Sequence, residues 1–438
     1  MRLLVLVAAT LLAACGSGTD GSPAFSKEAA GIVRPGSPSS PITHVVIIVQ
    51  ENRTVDNLFQ SLPGANTAKY GLNLQGQQVV LKPEGLTARY DMGHRHSDWL
   101  AAYNGGAMNG WSNERCSGHC GVDPAYAFVP PLEVQPYYGM AEAYTFGDEM
   151  FQSSEGPSFP AHQYLVSGTS TNVDGSRWRV AEDTGENQGG CDSFSRSKAE
   201  MINPKGREGD PVFPCFDRTS IFTLLDAAQI SWHFYQVRKT AGPWNAVDAL
   251  KPIWENQQEY ATHVTFPSSQ ILSDIANGNL ANVVYVTPTA AESDHGGDNN
   301  GTGPSWVASI VNAIGASPYW NSTAILVVWD DWGGWFDHVT PTIYNSYELG
   351  MRVPFIVVSP YAKAHYVSHV QYEFGSILRF VEETFSLGSL GTTDARANDL
   401  SDCFNFGAKP RPFKLIRAPY SASYFLHEPP SDRSPDDE

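Results

Sequence analysis

Positive charge is scarce in this chain. Its 28 lysines and arginines face 46 aspartates and glutamates, for a formal net charge of −18. Nucleic-acid binding relies on basic side chains that displace counterions from phosphates, so no nucleic-acid partner is expected. An anionic substrate stays open, because a bound cation inverts the field locally. Charged residues of either sign make up only 17% of the chain, below the usual share of about a quarter. Long hydrophobic runs are missing after the first residues, so no internal segment reads as membrane-spanning. No internal repeat is visible. What is present, 42% hydrophobic and 12% aromatic residues in a chain of 438, suits a well-packed globular protein. That length fits two or three average domains, or one large α/β domain with insertions.

The amino terminus reads as a targeting segment. Arg2 precedes a short apolar run, Leu3 to Ala14, too short to span a bilayer stably. It ends in Leu12-Ala13-Ala14-Cys15-Gly16, which resembles the bacterial lipobox, whose cysteine is lipidated and becomes the mature N-terminus. Residues 1–15 are therefore expected to be a lipoprotein signal peptide. Residues 16–41, rich in Gly, Ser and Pro, are expected to form a flexible tether. The protein is then exported and held at a membrane by its lipid, in a periplasm or on a cell surface. Residues 429–438 are polar and acidic and read as a disordered tail.

Beyond Cys15 the cysteines are Cys116, Cys120, Cys191, Cys215 and Cys403, an odd set that leaves at least one thiol unpaired. Export favours disulfides. Cys116 with Cys120 and Cys191 with Cys215 are the economical pairs, each within one local segment. His119 beside Cys120 keeps a small zinc site as a minor option, although the spacing matches no standard zinc motif.

Strand-like runs recur at residues 44–49, 283–287, 324–329 and 353–358, and a further strand is expected from Ile230 to Tyr235. Helical patterns lie between them: Ser220 to Ala227, Pro304 to Ile314, and Phe374 to Phe385. Alternating strands and helices imply a parallel or mixed sheet between helices. Two stretches, Asn66 to Tyr144 and residues 172–215, are weak in periodicity and read as insertions over the sheet's carboxyl edge.

Two of the strands run into acidic motifs. His44-Val45-Val46-Ile47-Ile48-Val49-Gln50 leads into Glu51-Asn52-Arg53-Thr54, and Ala324 to Trp329 leads into Asp330-Asp331-Trp332-Gly333-Gly334-Trp335-Phe336-Asp337-His338. Continuous β-branched runs suit strands buried on both faces. Ligands of open α/β sheets bind beyond the carboxyl ends of such strands. Acidic side chains gathered there repel one another unless a cation or protons offset them, and hard oxygen ligands suit a divalent metal. Asp and Asn also cap helices, so one motif alone decides nothing; two in one chain favour a metal site. Further polar patches accompany them: His94-Arg95-His96, Ser153 to Gln163 with a Gly156-Pro157-Ser158 turn, Glu292 to Asn299 with His295, and His338.

Together these motifs resemble the bacterial phosphoesterases that include phosphatidylcholine-type phospholipases C and a respiratory-burst-inhibiting acid phosphatase. Glu51 to Phe59 looks like their first signature and Asp330 to Val339 like their second, over a resemblance of about residues 42–405. It implies one phosphoesterase domain over residues 42–428. The implied fold is alkaline-phosphatase-like: α/β, with a large mixed, mostly parallel sheet between helices and irregular insertions over the active site. It implies that Glu51, Asn52, Ser158, Asp330 and Asp331 surround a divalent metal, that Ser158 is the nucleophile, and that His96 (or His94), His295 and His338 are the active-site histidines. Asn52 and His94 are then expected to bind substrate. Asp331 stands where the family more usually has Glu. Ser158 stands where the phospholipases commonly carry Thr and the acid phosphatase type Ser, which tilts the reading towards phosphomonoesters. Ser158-Phe159-Pro160-Ala161-His162 echoes the sulfatase pattern Cys/Ser-x-Pro-x-Arg but lacks its arginine.

The expected chemistry is metal-assisted hydrolysis of a phosphate ester through a phosphoserine. A phospholipase C is the alternative, and needs an apolar rim that the aromatic stretch from Trp99 to Tyr138 can supply. A non-enzymatic surface-tethered binding protein is the second alternative, since fold alone does not make an enzyme.

Overall fold

The computed structural model describes residues 40–184, 188–239 and 242–429. The expected signal peptide, nearly all of the tether and nearly all of the acidic tail lie outside the described residues.

An eight-stranded sheet forms the centre. Its strand order is Val264–Thr265, Trp232–Tyr235, Val283–Val286, His44–Gln50, Thr323–Trp329, Phe355–Val358, Thr145–Gly147 and Tyr366–Ser368. Every neighbouring pair is parallel except the two made by Phe355–Val358, which runs against the rest. The sheet is thus mixed and mostly parallel, as the sequence implies. The run expected at 353–358 begins only at Phe355, after Pro354, which cannot donate to a ladder.

The sheet is covered on both faces. Ile47 pairs in register with Tyr285 on one side and Leu326 on the other, so these three share a face. The Tyr285 hydroxyl donates to Leu165 O at 3.2 Å in the helix Ser158–Ser167. Trp329 lies three residues past Leu326 and so points the opposite way. Its ring meets Tyr137 of the helix Gln135–Ala143 at 4.9 Å. Burial on both sides is why His44–Gln50 and Thr323–Trp329 read as unbroken apolar runs rather than alternating ones.

The expected helices form over Ile221–Ala227, Gly303–Gly315 and Phe374–Thr384. Two helices in the insertion, His96–Tyr103 and Gln135–Ala143, carry no clear sequence signal; Gly139 interrupts the second. The region 172–215 holds a three-stranded antiparallel sheet. Cys116–Cys120 and Cys191–Cys215 are disulfides, and Cys403 is a buried thiol. The first disulfide consumes both thiols of the zinc option beside His119, which is thereby withdrawn. Among the described residues no helix is long and apolar enough to cross a membrane.

Candidate active site

The strands His44–Gln50 and Thr323–Trp329 are adjacent and in register to their last residues, Gln50 opposite Trp329. Their continuations must therefore emerge together. Asp330 N–H donates to Gln50 O at 3.0 Å and Arg53 N–H to Asp331 O at 3.0 Å. Asn52 adopts a left-handed φ of 58°, which Asn tolerates better than most residues, and its N–H donates to Asp330 Oδ1 at 3.1 Å. Gly333, at φ +57°, closes the second turn: a Cβ there would lie 2.5 Å from Asn52 O. Gly333 N–H in turn donates to Asp331 Oδ1 at 2.7 Å.

The third component is the helix Ser158–Ser167, whose ten residues are all buried. The turn before it requires glycine, because a Cβ on Gly156 would meet Tyr347 Oη at 2.0 Å and Ala181 O at 2.5 Å. Pro157 caps the helix and Ser158 is its first residue, where unsatisfied N–H groups and the helix dipole favour negative charge. Ser158 Oγ lies 3.2 Å from Asp331 Oδ2 and 3.4 Å from Asn52 Oδ1. One turn on, on the same helix face, His162 Nε2 lies 3.2 Å from Glu51 Oε1 and 3.6 Å from Asp330 Oδ2. His162 is a site residue to which sequence reasoning gave no role; its spacing of four from Ser158 on a helix is the signal that marks it.

The five residues expected around a metal, Glu51, Asn52, Ser158, Asp330 and Asp331, are thus brought together and buried. Glu51, His162 and Asp330 each offer a ligand atom, all within 4.8 Å of one another. Asp330 Oδ2 is buried and accepts no hydrogen bond among the described residues. Carboxylate oxygens plus one imidazole form a donor set that fits a divalent cation, and an unsatisfied buried carboxylate oxygen is costly without one.

The histidines separate into different environments. His94 is at the cluster. Its Nδ1 donates to Met92 O at 2.8 Å, which leaves Nε2 to accept from Asn52 Nδ2 at 3.0 Å. That pairing aims the Asn52 amide oxygen at Ser158. His295 stacks edge-on against His94, ring centres 5.7 Å apart, and its Nδ1 donates to Gly296 O at 2.8 Å. His96 lies among acids instead: Nδ1 is 2.5 Å from Glu208, Nε2 is 3.4 Å from Glu155, and its N–H donates to Glu182. Burial opposes charge on this ring, but the bonds to Glu155 and Glu208 outweigh it and carry its pKa up to about 9.

His338 does not join the group. Its ring bonds Asp56 Oδ2 at 2.6 Å and Asn66 Oδ1 at 3.0 Å, beside Arg352. Arg352 also pairs with Asp337 at 2.9 Å. His338, expected among the active-site histidines, is instead paired with Asp56, after the turn at Gly333 and Gly334, both at positive φ.

A cavity of about 500 Å³ lies alongside the cluster, reaching His295, Gly93 and the hairpin strands Tyr90–Met92 and Cys116–Gly118. Ser158 itself is buried, and of the histidines at the cluster His295 lines the cavity. In the stretch that could supply an apolar rim, Trp99, Trp111, Tyr126 and Tyr137 are buried, while Leu100, Val122 and Leu132 are exposed.

The site thus places Ser158, at a helix start, opposite carboxylates beyond two adjacent strand ends of a three-layer α/β fold. The sequence matches the model of the Phosphoesterase family over residues 42–388, and the chain belongs to that family. It is a phosphoester hydrolase. It is 24% identical over 450 residues to Phospholipase C B of Mycobacterium tuberculosis, covering 85% of this chain and 79% of that protein. It is 23% identical over 426 residues to the non-hemolytic phospholipase C of Pseudomonas aeruginosa, covering 83% of this chain and 57% of that protein. Among solved structures, a protein in the alkaline phosphatase superfamily from Vibrio parahaemolyticus aligns with 83% of this chain and 73% of its own, at 8% identity and a TM-score of 0.38.

Proposed function

We propose that this protein is a metal-dependent phosphomonoesterase with Ser158 as nucleophile. The observation that carries the reading is Ser158 Oγ at the start of a buried helix, 3.2 Å from Asp331 Oδ2. Glu51, Asn52, Asp330, Asp331, Ser158 and the added His162 would hold a divalent cation there, which supplies positive charge against the non-bridging oxygens of a phosphate.

Asp331 accepts the Ser158 proton as Oγ attacks phosphorus, and the bond to the leaving oxygen breaks on the far side. Asn52 is held by His94, with one amide hydrogen left for an equatorial oxygen. His295, its Nδ1 committed to Gly296, offers Nε2 to the leaving alkoxide, a role worth on the order of 10²–10⁴-fold. Water then hydrolyses the phosphoserine. His96 acts at one remove, through Glu155 in the turn before Ser158, and His338 anchors the second motif to Asp56.

The arginines that line the cavity, Arg89, Arg95 and Arg115, support a phosphomonoester over a phospholipid. The phospholipase C reading is favoured by the names of the relatives and by the hairpin Tyr70–Leu72 and Gln78–Val80, which exposes Tyr70, Leu72 and Val80 on one face. We also propose that Cys15 carries a lipid; Cys15→Ser should then move the protein from the membrane to the soluble fraction. The deciding experiment is hydrolysis of phosphomonoesters, phosphodiesters and phosphatidylcholine after chelation, with metals restored singly. Turnover only of phosphomonoesters, and only with metal, is expected; preferential turnover of phosphatidylcholine would transfer the assignment to the second reading.

A further inference from the structure

The cavity beside the site gathers arginine in a chain where positive charge is scarce. Arg89, Arg95 and Arg115 all line it, against Asp91 and Asp298, in a protein whose formal charge is −18. Arg115 is tied to Asp98, with Nε 2.8 Å from Oδ1. Arg95 lies in the field of Glu182. Arg89 forms no ion pair among the described residues.

The frame that carries these arginines is fixed. Tyr90–Met92 pairs antiparallel with Cys116–Gly118, Tyr90 opposite Gly118 and Met92 opposite Cys116, so Arg89 and Arg115 flank the ladder at its two ends. The Cys116–Cys120 disulfide clips its outer strand. Gly93 N–H donates to Arg115 O at 2.7 Å and His119 N–H to Arg89 O at 3.4 Å. The inner wall is His295, whose ring meets His94, which holds Asn52 beside Ser158. A molecule filling the cavity would therefore meet His295, two side chains removed from Asn52 and Ser158.

We propose that this cavity binds a second anionic group of the substrate, so that the preferred ester carries another phosphate or a carboxylate besides the one cleaved. The proposal rests on the reading of Ser158 as the phosphoryl site. Guanidinium groups bind phosphate and carboxylate through paired N–H donors. A quaternary ammonium headgroup calls instead for an aromatic cage, and Tyr90 is the one phenol ring in the lining, largely buried. A volume of about 500 Å³ lies within the range of small-molecule sites and holds a phosphorylated sugar or a comparable group.

The test uses the metal-loaded full chain. Calorimetry compares butane-1,4-bisphosphonate with butylphosphonate, and kinetics compare fructose 1,6-bisphosphate with fructose 6-phosphate. The bis-anion should be preferred about tenfold in both. The double variant Arg89→Gln with Arg95→Gln, two exposed positions, should collapse the ratio towards one, while Lys205→Gln, exposed and outside the cavity lining, keeps it. Vesicles of phosphatidylinositol 4-phosphate, set beside the soluble bisphosphate, distinguish a lipid headgroup from a free metabolite as the source of the anion. Equal binding of the two phosphonates, a preference that survives in the double variant, or faster hydrolysis of phosphatidylcholine than of any bis-anion overturns the proposal. Bisphosphonate preference without turnover of any ester upholds the anion site and overturns the hydrolytic role of Ser158; turnover without preference does the reverse.

Discussion

Asn52 N–H donates to Asp330 Oδ1 at 3.1 Å, joining residues 278 positions apart in the chain. This bond ties the first acidic motif to the second at the ends of two adjacent strands. Asn52 also faces Ser158 through its side-chain oxygen and His94 through its nitrogen. A single residue in a left-handed conformation thus links both motifs, Ser158 and a histidine.

His94 is accordingly a positioning residue for Asn52. His94→Ala should lower kcat about tenfold or more, by analogy with the loss of outer partners at metal sites, with a smaller change in KM. His94→Gln retains an acceptor oxygen and should recover part of the rate. Equal rates for the two variants would deny the positioning role.

Gly333→Ala should be destabilising. The new Cβ meets Asn52 O at 2.5 Å, and the backbone is at φ +57°. Non-glycine residues held in that region cost about 1–3 kcal/mol. A urea midpoint equal to that of the wild type would contradict the packing described here.

Stability should fall as pH rises. His96 is carried up to about 9, its two glutamate partners outweighing burial, whereas an unfolded histidine titrates near about 6.5. Glu182 is pushed up to about 8 by burial and the nearby Glu208, above the value of about 4.3 for an unfolded glutamate. Both groups hold protons more tightly when folded. Their contribution is complete below the unfolded values and is lost as pH rises through the folded ones. Urea midpoints should therefore decline from about pH 4.3, through Glu182, up to about pH 9, and His96→Asn should flatten the part of that decline above about pH 6.5. A midpoint that rises across the window would contradict the cluster.

Much of this was legible in the sequence for a physical reason. Strands buried on both faces need uninterrupted apolar residues, so His44–Gln50 and Thr323–Trp329 stand out, and the acids after them mark the carboxyl edge. The Gly-Pro turn before Ser158 is local chemistry and reads locally. His162 was harder to see, because its role comes from a helix face meeting Glu51, a contact 111 positions away. His338 misleads because adjacency in a motif suggests proximity, while the Gly333-Gly334 turn redirects the chain towards Asp56. The helix His96–Tyr103 is held by packing in the insertion's aromatic core and Gln135–Ala143 by packing on the central sheet, rather than by periodicity, and so both leave little trace.

The central claim is that Ser158 carries the phosphoryl group during turnover. The most direct measurement is acid quench of the metal-loaded enzyme with a phosphomonoester, followed by peptide mass spectrometry. Wild type should yield a phosphorylated peptide at Ser158. Ser158→Ala should yield none, with nearly all turnover lost and an unchanged unfolding transition. Wild-type-like turnover by Ser158→Ala, or a phosphoryl group found on another residue, would contradict the account.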